Sequence, residues 1–95
     1  MSKQQYRTEM GIISEILQTT MEYGTQGTII SKIARATNLS HYTTVEKCQK
    51  LISFGLIESR KCNQDQIFAV TEKGIQFFRE LQRFEEYIQA LKIRI

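Results

Sequence analysis

The sequence contains few residues of the kinds that build catalytic or metal centres. Its 95 residues include one histidine, two cysteines and no proline. A structural zinc site needs four closely spaced Cys or His ligands, which this composition cannot supply. The chain also lacks a glycine-rich phosphate loop and a recognisable arrangement around a nucleophile. We therefore expect a protein that is not an enzyme and that binds no metal and no other cofactor.

Long apolar runs are also missing. No stretch reaches the roughly 18 uncharged apolar residues that a bilayer span requires, and the polar start MSKQQYRTE lacks the apolar centre of a signal peptide. Apolar residues still make up 41% of the chain, and a chain this short rarely splits into two cores. We expect one compact cytoplasmic domain without a membrane partner.

The apolar residues that are present first recur at helical spacing. Steps of three and four predict an amphipathic helix over residues 7–22. Its inward positions are Met10, Ile13, Leu17 and Met21. Two glycines then turn the chain, and Thr28 is expected to cap a second helix that begins at Ile29 and runs to about Thr37.

A three-residue turn, Asn38-Leu39-Ser40, separates the second helix from a third. Asparagine tolerates the left-handed backbone of a tight turn, and serine is a good cap for a helix start. The third helix is expected over residues 41–54, and Gly55 ends it. Its predicted inward positions are Val45, Cys48, Leu51 and Ile52.

A β-hairpin is expected to follow the third helix. Residues 56–60 and 66–70 are rich in β-forming side chains, and the polar loop 61–65 lies between them. Thr71 then caps a final helix that is expected to continue to the end of the chain.

Charge is distributed unevenly along these elements. Residues 28–64 carry six basic and two acidic side chains, a net +4, whereas residues 1–27 sum to −1 and residues 65–95 balance. The surplus lies on the second and third helices and the hairpin, which favours a polyanion as the partner.

The order of these elements resembles the winged-helix DNA-binding superfamily. It is most similar to the small archaeal winged-helix proteins that act as dimeric transcriptional regulators or chromatin components and carry a C-terminal coiled-coil helix. The resemblance covers about residues 8–95. The motifs that carry it are Asn38-Leu39-Ser40, Thr44-Val45, Gly55-Leu56-Ile57 and Thr71-Glu72-Lys73-Gly74. It implies a mainly α fold with a small β-hairpin, namely a winged helix-turn-helix plus a long C-terminal dimerisation helix.

The resemblance also implies which residues face double-stranded DNA. In that family the third helix enters the major groove, and the wing, here 61–65, touches an adjacent phosphate or the minor groove. The free N–H groups of a helix start suit a phosphate, and hydroxyl and amine groups beside them can reach base edges. The predicted contacts are Lys32, Arg35, Ser40, His41, Tyr42, Thr43, Thr44, Lys47, Arg60, Lys61, Asn63 and Gln64. Because the third helix has no arginine, the commonest partner of guanine, modest sequence selectivity is expected.

The last helix carries a second apolar pattern. Steps of four and three predict a coiled-coil seam formed by Phe77, Leu81, Phe84, Ile88, Leu91 and Ile95. A parallel pair of helices would place Glu80 opposite Glu85 of the second copy, two like charges. An antiparallel pair instead brings Glu80 near Arg94 of the second copy. We therefore predict a twofold antiparallel homodimer, with a winged-helix domain over 1–74 and a dimerisation helix over 75–95. Exposed pairs contribute only about 0.2–1 kcal/mol each, so a slipped register through Glu85 and Lys92 stays open.

Three functions fit these observations. The leading one is a dimeric transcriptional regulator. The second is an architectural chromatin protein of low sequence specificity, which would associate with the nucleoid. The third is a winged helix used only for protein–protein contact. No small-molecule ligand is predicted, because no appended sensing domain is recognisable and the core is too small for a roomy pocket.

Overall fold

The structure of the chain is a computed structural model, and it describes residues 8–92. Four helices and one two-stranded sheet make up the fold. In chain order they are α1 (Glu9–Tyr23), a 3₁₀ turn (Gly24–Gln26), α2 (Ile30–Thr37), α3 (His41–Ser53), β1 (Ile57–Cys62), β2 (Asp65–Val70) and α4 (Glu72–Ala90). The predicted fold class, mainly α with a small β-hairpin, is confirmed. No helix in this range is long and apolar enough to cross a membrane.

Helix α1 begins where its sequence offers a cap. The Thr8 hydroxyl accepts a hydrogen bond from the Gly11 N–H at 2.9 Å, which satisfies one of the free donors of a helix start. Ile13 and Leu17 are buried as predicted, together with Ile16. The prediction for Met10 is wrong, because this side chain is 45% exposed at the edge of a groove between α1 and α4.

The prediction that Thr28 caps the second helix is also wrong. The Thr28 N–H donates to the Phe68 carbonyl oxygen at 2.9 Å, and the Phe68 N–H donates to the Thr28 carbonyl oxygen at 2.8 Å. This pair of bonds makes Thr28 an isolated bridge beside β2. Helix α2 therefore begins at Ile30, and Ile29 precedes it without a side-chain cap. Thr28 thus lies one residue before the cap position, and its hydroxyl does not cap the helix.

The turn between α2 and α3 follows the prediction. Asn38 adopts the left-handed conformation, with φ 58° and ψ 44°, and the Ser40 hydroxyl accepts from the Thr43 N–H at 3.1 Å. Helix α3 ends at Ser53, and Gly55 follows with φ 77°. Cys48 and Leu51 are fully buried, whereas Val45 and Ile52 are only half-buried.

The hairpin is longer and its loop tighter than predicted. Antiparallel pairing runs from Ile57 with Val70 to Cys62 with Asp65, which leaves only residues 63–64 in the loop. Asn63 adopts a φ of 60°, the left-handed conformation that a two-residue hairpin turn requires. The polar residues at 61, 62, 65 and 66 pair as strand residues because that turn sets the register at the strand ends.

The core lies between the helices and one face of the hairpin. Its buried apolar side chains include Ile16, Leu17, Ile33, Leu51, Leu56, Ile57, Phe68 and Phe78. Helix α4 joins this core through its first two turns, where the Thr71 hydroxyl caps the helix by accepting from the Gly74 N–H at 3.0 Å.

The second half of α4 departs from the prediction in two ways. The helix ends at Ala90, and Lys92 follows with φ 60°, so it does not continue as a helix to the end of the chain. Part of its apolar seam also faces the same chain, because Leu81 and Ile88 line the groove between α4 and α1. Phe84 and Leu91 stay 54% and 52% exposed. The last predicted seam residue, Ile95, lies outside the described residues.

Candidate nucleic-acid interface

Helix α3 has a buried face and an exposed face. Thr44, Cys48 and Leu51 point into the core. The side chains on the exposed faces of the helix are His41, Tyr42, Glu46, Gln49, Lys50 and Ser53. Tyr42 is 76% exposed. The exposed surface of the helix is therefore polar, with one large aromatic side chain near its start.

The start of α3 has the geometry of an anion-binding helix terminus. The Ser40 hydroxyl accepts from the Thr43 N–H and donates to the Thr43 hydroxyl at 3.0 Å. Within residues 8–92, the backbone N–H groups of His41 and Tyr42 have no acceptor. Two exposed donors at the positive end of a 13-residue helix suit a phosphate oxygen.

Thr44 cannot contact DNA, and its inclusion among the predicted contacts is wrong. The side chain is fully buried, and its hydroxyl donates to the Ser40 carbonyl oxygen at 2.7 Å. Position 44 is one and two helical turns before Cys48 and Leu51, so it shares their inward face. Its hydroxyl stabilises the helix start from inside.

Lys47 and Lys50 both contact a carboxylate from another helix. Their ammonium groups lie 3.4 Å and 2.7 Å from the same Glu9 oxygen. The pKa of Glu9 is lowered from its usual value, first by the hydrogen bond from Lys50 and then by the charge of Lys47. The predicted contact Lys47 is only 19% exposed in its side chain. Sequence reasoning missed Glu9, because the pairs span 38 and 41 positions and no local signal joins them.

Arg60 is held by the protein's own backbone. Its guanidinium donates to the carbonyl oxygens of Thr25 at 2.5 Å and Gln26 at 3.3 Å, and it lies 3.2 Å from a carboxylate oxygen of Glu58. The side chain therefore fastens the hairpin to the connection between α1 and α2. The other predicted hairpin contacts, Lys61, Asn63 and Gln64, are exposed at the tip.

The hairpin tip and α3 border a common groove of about 430 Å³. The structure here brings together two predicted contacts, His41 on α3 and Gln64 on the hairpin. It adds polar residues that were not predicted, namely Ser31, Gln49, Asp65 and Gln66. Gln49 could have been found from its helical spacing, since it lies seven residues after Tyr42 on the same face.

The remaining predicted contacts lie on α2. Lys32 and Arg35 are exposed there, and neither side chain has an ion-pair partner in the part of the chain that the structure describes. The same part contains no group of three or more His, Cys, Asp or Glu residues that could hold a metal ion.

Comparisons with solved structures identify the fold. BpsR of Bordetella bronchiseptica, whose regulation of DNA binding by 6-hydroxynicotinic acid has been described, is similar with a TM-score of 0.73 and 16% identity over 83% of this chain. A point mutant of Staphylococcus aureus MepR bound to an oligodeoxyribonucleotide is similar with a TM-score of 0.71 and 20% identity over 84%. Sso10a-2, a DNA-binding protein from Sulfolobus solfataricus, is similar with a TM-score of 0.68 and 19% identity over 90%.

These structures differ in how much of their own length this chain covers. This chain spans 57% of BpsR and 61% of MepR, but 90% of Sso10a-2. No curated protein matches the chain. A family model described as winged helix-turn-helix matches residues 6–89. This match extends over nearly the whole sequence and confirms the predicted resemblance, so the chain belongs to the winged helix-turn-helix family.

Proposed function

We propose that this chain is a DNA-binding transcriptional regulator that inserts α3 into the major groove and is not an enzyme. The observation that carries the proposal is the exposed face of α3, with free N–H donors at its start and a hairpin beside it. The DNA-bound MepR mutant, the DNA-binding Sso10a-2 and the regulated DNA binding of BpsR support it.

The contacts divide by chemistry. The N–H groups of His41 and Tyr42 and the cations of Lys32, Arg35 and Lys61 are proposed to bind phosphates, which position a protein without reading sequence. Ser40 and Thr43 lie beside those N–H groups, and Asn63 and Gln64 extend the surface at the hairpin tip. Arg60 is assigned a positioning role, since its guanidinium is already bonded to the backbone.

We further propose that the chain forms a twofold homodimer through α4. Phe84 and Leu91 are half exposed, and Met10 adds apolar surface in the groove that it lines with Phe84. A second copy of α4 would cover this surface. This keeps the predicted division into a winged-helix domain and a dimerisation helix, although α4 already starts at Glu72 and packs Phe78 into the core. The proposed location is the cytoplasm, at the nucleoid.

The expectation that no small molecule is bound lacks support. In BpsR, 6-hydroxynicotinic acid regulates DNA binding, and this chain has a groove of about 460 Å³ between α1 and α4.

The function is tested by titrating labelled duplex DNA, both random and genomic, at two salt concentrations. Replacing Lys32 and Lys61 by alanine should weaken binding and lower the salt slope by almost two, because each phosphate contact contributes about 0.9. Arg79→Ala, which removes an exposed cation from α4, is the control and should leave the slope unchanged. Tight binding to random DNA would favour the chromatin role. Absence of salt-dependent binding would favour protein–protein contact and overturn the proposal.

A further inference from the structure

Three side chains form a single outward stripe on α3. Tyr42, Glu46 and Gln49 are separated by four and three residues, so they lie above one another on the same face of the helix. All three are exposed, opposite the buried Thr44 and Cys48. Among the described residues none of the three side chains has a hydrogen-bond or salt-bridge partner, so each is available to a ligand.

The carboxylate of Glu46 is an unusual group at the centre of this stripe. Near phosphates it is repelled, and the lysine best placed to neutralise it is engaged elsewhere. Lys50 is one helical turn away, but its ammonium lies 2.7 Å from Glu9. The pKa of Lys50 is raised chiefly by its hydrogen bond to Glu9, and the charge of Glu46 is the smallest of the causes.

The edge of a base can provide the hydrogen-bond donor that the carboxylate of Glu46 needs and that phosphates lack. In the major groove the cytosine amino group is a donor that pairs with an acidic side chain, whereas guanine presents only acceptors at its O6 and N7. A carboxylate is an acceptor without a donor. Glu46 would therefore be favourable beside cytosine and unfavourable beside guanine.

Gln49 offers complementary chemistry one turn further along. Its amide combines a donor and an acceptor, the pair that matches N7 and N6 of adenine. Gln49 also lines the groove shared with the hairpin tip. Three residues of helix rise about 4.5 Å, close to the roughly 3.4 Å between successive base pairs, so the two side chains can reach neighbouring base pairs.

We propose that Glu46 and Gln49 make α3 a sequence-selective reader, with Glu46 selecting cytosine and Gln49 selecting adenine in a neighbouring base pair. The inference rests on the proposed DNA-binding function and names the specificity of that site. It replaces the expectation of modest selectivity, which considered only the absence of arginine from this helix.

The test is a selection from random duplexes, followed by titration of the selected duplex and of single-base variants. The unaltered protein should prefer cytosine at one position and adenine at a neighbouring one, each by roughly tenfold or more. Glu46→Gln should replace the cytosine preference at that position by a preference for adenine, because its amide carries both a donor and an acceptor, and it should bind random DNA more tightly because a negative charge is lost. Gln49→Ala should remove only the adenine preference.

Glu72→Gln is the matched control, because it removes one negative charge from the exposed first turn of α4 and should leave both preferences intact. Thermal melts of each variant verify that the fold is retained. If the protein binds DNA but selects no bases, or if Glu46→Gln keeps the cytosine preference, the inference is overturned and the DNA-binding function stands. If the unaltered protein binds no duplex, both are overturned.

Discussion

The carboxylate of Glu9, in the first turn of α1, lies 2.7 Å from the ammonium group of Lys50 on α3. The same oxygen lies 3.4 Å from Lys47. This contact joins the start of the first helix to one flank of the helix that we propose for the major groove. Lys47 and Lys50 are thus paired with a carboxylate of the same chain, and a DNA phosphate would have to replace Glu9 as their partner.

Removing the Glu9 charge should therefore strengthen DNA binding. We expect Glu9→Gln to raise the affinity for random duplexes and to steepen the salt dependence by up to about two, since each newly available lysine can release about 0.9 counterions. Fluorescence anisotropy at several salt concentrations measures both. Glu22→Gln, on the exposed side of the same helix, should have no such effect. An unaltered slope would show that this flank of α3 does not approach phosphates.

The same ion pair should give a pH-dependent contribution to folding stability. Because the pKa of Glu9 is lowered by the hydrogen bond from Lys50 and the charge of Lys47, the folded state favours the carboxylate. Its contribution is present above the usual pKa of 4.5 and is lost as the pH falls through the lower value of the folded protein. The difference in melting temperature between the unaltered protein and Glu9→Gln should shrink with acidification, and a constant difference would contradict this account.

Gly74 lies where no side chain fits. A Cβ atom there would overlap the carbonyl oxygen of Leu56 and come within 2.9 Å of the Val70 Cγ2. We expect Gly74→Ala to lower the free energy of unfolding by about 3 kcal/mol, because α4 would have to move away from the hairpin. Urea denaturation measures the loss. Gly11→Ala is the comparison: its Cβ would lie 3.1 Å from the Thr8 hydroxyl that caps α1, and it should cost far less, because the threonine side chain can shift and alanine favours a helix more than glycine does.

The two cysteines should differ sharply in reactivity. Burial raises the pKa of the Cys48 thiol to about 12, whereas Cys62 is exposed on the hairpin. At a pH of about 8 a thiol reagent should modify one site in the native protein, because the thiolate is the reactive form. Cys62→Ser should abolish the native reaction, and denaturant should reveal the second site. Two modified thiols in the native state would contradict the burial of Cys48.

The exposed seam of α4 should govern the oligomeric state. We expect the unaltered chain to sediment as a dimer at protein concentrations of tens of micromolar. Exposed ion pairs of about 0.2–1 kcal/mol each would not by themselves maintain a dimer at those concentrations. Phe84→Ala combined with Leu91→Ala should give a monomer, because both side chains are half exposed in a single copy. Gln82→Ala, on the exposed surface of α4 away from the seam, is the control. A monomeric unaltered chain would rule out the proposed dimer.

Most of the fold could be predicted because its signals are local. The spacing of apolar residues locates the helices, and Asn38, Ser40 and Thr71 mark their ends through contacts with neighbouring residues. The cap predicted at Thr28 is absent, because Thr28 forms a bridge with Phe68, which lies forty positions further along the chain. A threonine before an apolar helix is a good cap by local rules, and only the folded sheet shows that its backbone is already engaged.

The candidate site was predicted less well. Thr44 could have been excluded from the sequence, because it lies four and seven residues before Cys48 and Leu51 and so shares their inward face, but its hydroxyl group suggested a contact. The basic residues looked alike in the sequence, yet Glu9 holds Lys47, backbone carbonyl oxygens hold Arg60, and Lys32 stays exposed. The partner of a long charged side chain depends on tertiary neighbours that its own segment does not reveal.

The anchoring of Arg60 to the backbone oxygens of Thr25 and Gln26 has a mechanical consequence. It fastens the second half of β1 to that connection, so in the proposed function the distance between the hairpin tip and α3 is set before a duplex binds. Duplexes whose local width or curvature departs from that span would have to deform, and the elastic energy of their deformation would discriminate among them at positions that no side chain touches.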